Sequence, residues 1–371
     1  MPTLLPLPDH SRIGILTSGG DSPGMNAAVR TAVKMIRARG HLAVGVLAGY
    51  RGLIDGRARE LETADVEGIE RRGGTFLGSA RALDFHHEEG QQKAAASVRA
   101  LKLDALIVVG GNGSLTGARI ASRFDTARGE KLRVIGLPAS IDNDIGHTTS
   151  AIGVDTALNT IVEACDKISD TASSHNRAFI VEVMGRDCGY LAMAAAIATG
   201  ADGVLFRESG KSDDALVTQI VHIIESAFSR TPPKPRVLIL KSEGVKVSID
   251  ALKSRTDEEL KKRGLAVEVR NTVLGHVVRG GAPSAHDRLM SGRLGRAAVF
   301  AAIEGHTDVM IAWQSRAPRD GIGTVSPHDP YCSVIPLEAV LTETAHLLDG
   351  TSPVVKWRAQ ALSEVEELLH F

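Results

Sequence analysis

An α/β architecture of two Rossmann-like doubly wound domains, each a mainly parallel sheet flanked by helices, is the fold that the sequence predicts. Three observations carry it. Short apolar runs alternate with amphipathic stretches almost from end to end. The runs are continuously apolar instead of alternating, as in strands buried on both faces. The length, 371 residues, exceeds what one core of average size encloses.

The elements follow in order. Runs at 13–17 (IGILT) and 43–47 (AVGVL) bracket 25–39, where apolar residues recur three and four apart, the period of one helix face. Helix 92–102 leads to the run ALIVV at 105–109, helix 115–123 to VIGL at 134–137, and helix 157–169 to FIVEV at 179–183. Helix 190–199 precedes the short strand 203–206, and helix 213–228 precedes VLIL at 237–240. A helix at 257–263, a strand at 266–269, a helix at 287–304 and a strand at 309–313 come next, and helices 337–348 and 354–369 close the chain. Residues 1–154 with about 279–329 are assigned to one domain, and 155–278 with about 330–371 to the other.

Composition narrows the function. The 43 Lys and Arg nearly cancel the 44 Asp and Glu, so no global field recruits nucleic acid or an anionic membrane. An anionic ligand must therefore be held by local arginines and backbone amides. Three scattered cysteines, Cys165, Cys188 and Cys332, argue for a reducing compartment and against a disulfide scaffold or structural zinc. The start of the chain, broken by Pro6 and Pro8, lacks the basic and apolar regions of a signal peptide. The longest small or apolar run, 191–201, is about half the ~20 residues of a membrane span. A soluble, cytoplasmic protein is expected.

Glycine is abundant, 38 residues, and clustered. The run SGGDSPGMN at 18–26 joins a strand to a helix, GGNGS at 110–114 does the same, and GGTFLGSAR at 73–81 lies between them. Glycine-rich strand-to-helix turns point amides at an anion beside the positive end of a helix. Each alone also reads as a tight turn that needs glycine for geometry. Together, on the edge where open α/β sheets bind ligands, they point to a phosphorylated ligand. None is a Walker loop or a dinucleotide fingerprint.

The strand at 134–137 runs into PASIDND, which crowds Asp142, Asn143 and Asp144 at one strand end. Such residues often only bond their own turn; the functional reading is a base with a metal- or water-orienting partner. An extended segment would place Asp142 and Asp144 on the same side. Arginines recur after strands in the second half: Arg177, Arg186, Arg270 and Arg279. Arginine suits bidentate phosphate recognition. Glu243, in LKSEG, can accept hydrogen bonds from sugar hydroxyls, and His276 can donate to phosphate.

In order, LTSGGDSPGMNAAVR, GGTFLGSAR, GGNGS, SIDND, SSHNR, VEVMGRDCG, SEG and RNTVLGHVVRGG span about residues 12–305. The chain thereby resembles the ATP-dependent 6-phosphofructokinases of the bacterial phosphofructokinase A family. The resemblance implies transfer of the γ-phosphoryl of MgATP to the 1-hydroxyl of fructose 6-phosphate, a step of glycolysis. It implies that Gly20, Arg81 and the turn Gly111, Asn112, Gly113 and Ser114 hold nucleotide phosphates, with Tyr50 near the nucleotide. Ser140 and Asp142 would meet the sugar, with Asp142 the base. Arg81 and Arg186 would stabilise the transferring group, and Met184, Gly185 and Arg186 would line the sugar site. Glu243, His276 and Arg279 would grip fructose 6-phosphate, and Arg177 and Arg270 would reach it from a neighbouring subunit of a homotetramer.

The chain departs from that family in places. Asn112 stands where ATP-dependent members carry a Mg²⁺-binding aspartate, so Asp144, directly or through water, is expected to carry the metal. Gly113 and Ala139 are small where pyrophosphate users are acidic and basic, which favours ATP. The alternatives are pyrophosphate as donor, another ketose phosphate as acceptor, or a weak ligand-binding paralogue. Of the family's effector site Arg30, Lys34, Asp202 and Lys234 are matched, while Thr63 and Ser169 replace arginines. Weak allosteric control is therefore expected.

Overall fold

The computed structural model describes residues 4–314 and 321–369. Among these, twelve strands follow the chain: β1 (Arg12–Ser18), β2 (Leu42–Val46), β3 (Ala58–Leu61), β4 (Ala105–Gly110), β5 (Arg133–Pro138), β6 (Ala178–Val183), β7 (Gly203–Leu205), β8 (Val237–Ser242), β9 (Val269–Val273), β10 (Val309–Trp313), β11 (Thr324–Ser326) and β12 (Asp329–Pro336). The chain divides into two compact units, Met1–Thr156 with Arg279–Ala345 and Ala157–Val278 with His346–Phe371.

The first unit carries an eight-stranded sheet in the order β11-β12-β10-β5-β4-β1-β2-β3. Its centre is parallel: β1 lies between β2 and β4, and β5 between β4 and β10. Strands β1, β4 and β5 are buried almost throughout, which their uninterrupted apolar runs anticipate. Helices Met25–Ala38 and Ala285–Ile303 cover one face, where Val29, Val33, Met290, Leu294 and Ala298 join the core. The ladder pairs Ser18 with Gly110 and Gly110 with Pro138, so three strand C-termini end level at one edge. Ligands of open α/β sheets bind at such an edge.

The second unit carries a four-stranded, wholly parallel sheet, β7-β8-β6-β9. Helices Asp213–Phe228 and Ile249–Lys262 bury Ile220, Ile224 and Leu252 against it.

Several expectations are corrected. Residues 330–345 fall in the first unit, not the second, because β12 pairs antiparallel with β10 over Val309↔Pro336 to Trp313↔Cys332. Strand β9 occupies Val269–Val273 and not 266–269; as an edge strand bonded only to β6 it is polar and half exposed, which hid it. Edge strand β3 was missed for the same reason. The helix expected at 257–263 begins at Ile249, where Ser248 caps it by accepting from the Ala251 amide. The three cysteines are free and buried, and burial pushes the Cys165 thiol up to about 11 and that of Cys332 to about 12.

Candidate active site

The strand C-termini of the first unit gather the glycine-rich segments through hydrogen bonds. Gly19 and Gly24 have positive φ, 82° and 110°. At Gly24 a Cβ would lie 2.9 Å from Ile152 Cγ2 and Ser291 Oγ, so only glycine starts this helix so close to its neighbours. The Ser79 hydroxyl donates to the Gly19 carbonyl at 2.6 Å, and the Thr17 hydroxyl to the Gly78 carbonyl at 2.9 Å. These bonds hold the loop that carries Arg81 against the β1 loop. Asn26, 2% exposed, fixes the same loop from below. Its amide donates to the carbonyls of Arg72 and Gly73 at 3.0 and 3.3 Å and accepts from the Phe76 amide at 2.6 Å.

The stretch 111–114 is the first turn of helix Asn112–Ala121, capped by Gly111. It was expected to precede a helix beginning at 115. A helix start leaves its first amides without intrahelical partners, an anion site at the sheet edge. At Gly110 a Cβ would sit 2.4 Å from Ser114 Oγ and 2.5 Å from the Ser18 carbonyl, so β1 and this turn approach as closely as backbone permits.

Tyr50 lies beneath this turn. It is 5% exposed, its hydroxyl donates to the Ser114 carbonyl at 2.7 Å, and its ring stacks on Phe85 at 4.3 Å. Burial pushes the phenol well above its ordinary value. Tyr50 thus supports from below the turn expected to hold the nucleotide. Tyr50→Phe removes a buried hydrogen bond worth about 1 kcal/mol. Thermal unfolding is expected to shift down by about 2–4 °C, and an unchanged midpoint would show that the bond does not hold the turn.

The Ser140–Asp144 turn joins the same edge. Asp144 accepts from the Ser140 hydroxyl at 2.9 Å and from the Asn112 amide nitrogen at 2.8 Å. The Asp142 amide donates to the Ser140 hydroxyl at 3.3 Å. Asn143 is left-handed, φ 51°, and its buried amide accepts from Ala151 N and donates to the Thr149 carbonyl. The segment is therefore a turn, and the side-by-side placement of Asp142 and Asp144 inferred from an extended strand does not apply. Arg81 is exposed. Arg279 donates to the Asp21 carbonyl at 3.2 Å, and a Cβ on Gly20 would stand 2.7 Å from its Nη1. That places Arg279 on the β1 loop.

Among the described residues no cluster of three or more His, Cys, Asp or Glu is arranged around a metal. Mg²⁺ needs few protein oxygens when phosphates and waters complete its shell. Asn112 Oδ1 is buried and accepts no hydrogen bond, while Nδ2 of the same amide is turned onto Asp144. An unmatched buried oxygen beside a carboxylate fits such a cation.

In the second unit, β6 and β8 end side by side. Glu243 N donates to the Val183 carbonyl at 2.9 Å, and the Ser242 hydroxyl to the Gly185 carbonyl at 2.7 Å. Met184 is buried, and Arg186, 82% exposed, lies 3.9 Å from Glu243 Oε1. His276 lies in the short helical turn Gly275–Arg279 after β9.

Arg177 and Arg270 are elsewhere. Arg177 immediately precedes β6 and Arg270 is within β9, paired with Phe179; neither follows a strand as expected. Both ion-pair with Glu268, whose carboxyl is held below its ordinary value chiefly by the Arg177 hydrogen bond. At ~3.3 Å per residue the length of β6 puts them about 20 Å from the Met184–Arg186 end. The residues matched to an effector site are already engaged within their own units. Arg30 and Lys34 pair with Glu67 and Glu70, and Lys234 with Asp202 at 2.7 Å.

Sequence reading missed Asn26, Thr17 and Ser79. Their bonds run to carbonyls and amides 46 to 61 residues away, a separation that leaves no local signal. No described helix is long and apolar enough to cross a membrane.

The sequence model of the phosphofructokinase family matches residues 12–302. The chain is 44% identical over 300 residues to ATP-dependent 6-phosphofructokinase 2 of Bacteroides thetaiotaomicron, covering 81% of this chain and 87% of that one. It is 44% identical over 303 residues to ATP-dependent 6-phosphofructokinase of Thermotoga petrophila, covering 82% and 90%. Among solved structures, phosphofructokinase of Saccharomyces cerevisiae superposes with a TM-score of 0.82 at 33% identity over 95% of this chain. That of Pichia pastoris gives 0.84 at 32% over 99%. This chain spans 48% and 43% of those two yeast chains. A pyrophosphate-dependent phosphofructokinase of Marinobacter aquaeolei, at 19% identity and a TM-score of 0.74, covering 89% of this chain and 83% of that one, shares the fold.

Proposed function

The chain belongs to the phosphofructokinase family, and on that premise we propose that it transfers the γ-phosphoryl group of ATP to the 1-hydroxyl of fructose 6-phosphate. The products are fructose 1,6-bisphosphate and ADP. The observation that carries this reading is the convergence of the 18–21, 78–81, 111–114 and 140–144 segments on one sheet edge, joined by the Ser79–Gly19 and Asn112–Asp144 hydrogen bonds. Phosphoryl transfer asks mainly for positioning and charge neutralisation, and these segments are built for both.

In this reading the amides at Gly20 and Gly111–Ser114 hold nucleotide phosphates, with Tyr50 shaping the turn from below. Ser140 and Asp142 meet the sugar, and Asp142 takes the proton of the 1-hydroxyl. Arg81 and Arg186 neutralise charge on the group in transit. Met184 and Gly185 line the sugar site, and Glu243, His276 and Arg279 bind fructose 6-phosphate. Arg177 and Arg270 serve a neighbouring subunit's sugar phosphate in a homotetramer; their place at the far end of β6 supports this. Mg²⁺, held by Asn112 Oδ1 and through water by Asp144, would supply charge neutralisation to the nucleotide phosphates. The setting is cytoplasmic glycolysis.

A coupled assay over a panel of donors and acceptors tests the assignment. ATP with fructose 6-phosphate is expected to give the highest kcat/KM. Faster turnover with pyrophosphate or with another ketose phosphate would overturn it, as would calorimetric binding without turnover.

Asn112 distinguishes this chain. In Asn112→Asp a carboxylate replaces the amide that now donates to Asp144, setting two negative groups at hydrogen-bond distance. Without divalent cation the variant is expected to unfold several degrees lower, and Mg²⁺ is expected to restore it. Half-saturation by Mg²⁺ should fall about tenfold, the equivalent of ~1.4 kcal/mol. A variant whose activity and stability ignore Mg²⁺ as the parent does would show that the metal is held elsewhere.

A further inference from the structure

Strand β8 ends in a buried cation. The Lys241 side chain is 1% exposed, and its neighbours along the strand are Leu238, Ile239 and Leu240. An ammonium removed from water must have its three protons matched. Lys241 has them matched: Nζ donates to Glu182 Oε2 at 2.7 Å, to the Val245 carbonyl at 3.1 Å and to the Ser242 carbonyl at 3.3 Å. Glu182 is its direct neighbour across the β6–β8 ladder.

The two carbonyls bracket Glu243 and Gly244. The same turn is tied to the end of β6 by Glu243 N to Val183 O and by Gly244 N to Gly185 O. Its outer side hangs on the β6 backbone, and its inner side hangs on Lys241. A buried ion pair is a poor way to stabilise a core, since apolar residues of similar volume usually do as well. What an apolar side chain cannot supply is two directed bonds to the carbonyls on either side of Glu243.

We infer that Lys241 is a positioning residue for the sugar-phosphate site, fixing the aim of Glu243 through the Ser242–Val245 turn. The inference rests on the reading of Glu243 as a ligand of the sugar. Loss of the clamp lets the turn relax, so the carboxylate must be ordered when substrate binds. That cost falls on the affinity for fructose 6-phosphate and spares ATP.

The test is steady-state kinetics on the full-length enzyme with three variants. Lys241→Met removes the donors at nearly constant length but strands the Glu182 carboxylate, and its thermal midpoint should drop. Lys241→Met/Glu182→Met removes the stranded charge as well, so it should recover the midpoint and carries the test if the single variant does not fold. Glu243→Gln reports on the underlying reading. In the double variant KM for fructose 6-phosphate is expected to rise about tenfold, exceeding any change in kcat, with KM for ATP within about twofold. A double variant of parental stability and parental KM for the sugar phosphate overturns the proposal, as does an equal rise in both KM values. If Glu243→Gln itself leaves that KM unchanged, the reading of Glu243 fails independently of Lys241.

Discussion

Asp142→Ser is expected to lower kcat by about 10²- to 10⁴-fold, the contribution of a positioned general base, while KM for fructose 6-phosphate changes little. The turn that carries Asp142 has ties that do not pass through the Asp142 side chain. It is held by Ser140 and Asn112 on Asp144 and by the buried Asn143 amide on Thr149 and Ala151. These ties remain in the variant, and the loss is expected to lie chiefly in the chemical step. Serine keeps a small polar group at the position but cannot accept a proton at neutral pH. A kcat within tenfold of the parent, in a protein of parental stability, would remove Asp142 from its role and with it the proposed mechanism.

The second large effect is expected from Arg177→Ala/Arg270→Ala. Charge-assisted hydrogen bonds to phosphate are worth about 1.5–3 kcal/mol each, so each arginine should contribute about 10- to 150-fold to KM for fructose 6-phosphate. Their shared partner Glu268 is half exposed and tolerates their loss. The geometry makes a sharper claim than affinity alone. Both arginines stand at the end of β6 away from Met184–Arg186, and in the proposed reading they serve a neighbouring subunit's site. Mixing this variant with Asp142→Ser and reassociating the subunits should restore activity at low fructose 6-phosphate. An intact Asp142 then meets arginines from its neighbour. Activity no greater than the sum of the two parents would show that the arginines do not act across subunits.

Much of the active edge was legible because its residues sit in contiguous motifs. The glycine-rich segments at 18–26 and 110–114 and SIDND each follow an apolar run, and such a run, alternating with helical patterns, reads as a central strand of a parallel sheet. The C-termini of such strands gather at one edge, so the motif residues Gly20, Gly111, Asn112 and Ser140 were placed together by topology alone. Edge strands β3 and β9 were harder, since one side of each faces water and their sequences, AREL and VRNTV, carry charge and polarity in place of a buried run.

The succession of buried strands along the chain and the glycine-rich turns that end β1 and β4 belong to the sequence, because solvent exclusion writes itself into every residue of a central strand. Only the tertiary structure decided that the Tyr50 hydroxyl props the turn at Ser114 and that Arg177 and Arg270 lie at the far end of β6. The same holds for Asn26 and Lys241, whose bonds hold the loops that carry the chemistry. A hydrogen bond between a side chain and a distant backbone group depends on where two segments meet in space, and no periodicity along the chain records that meeting.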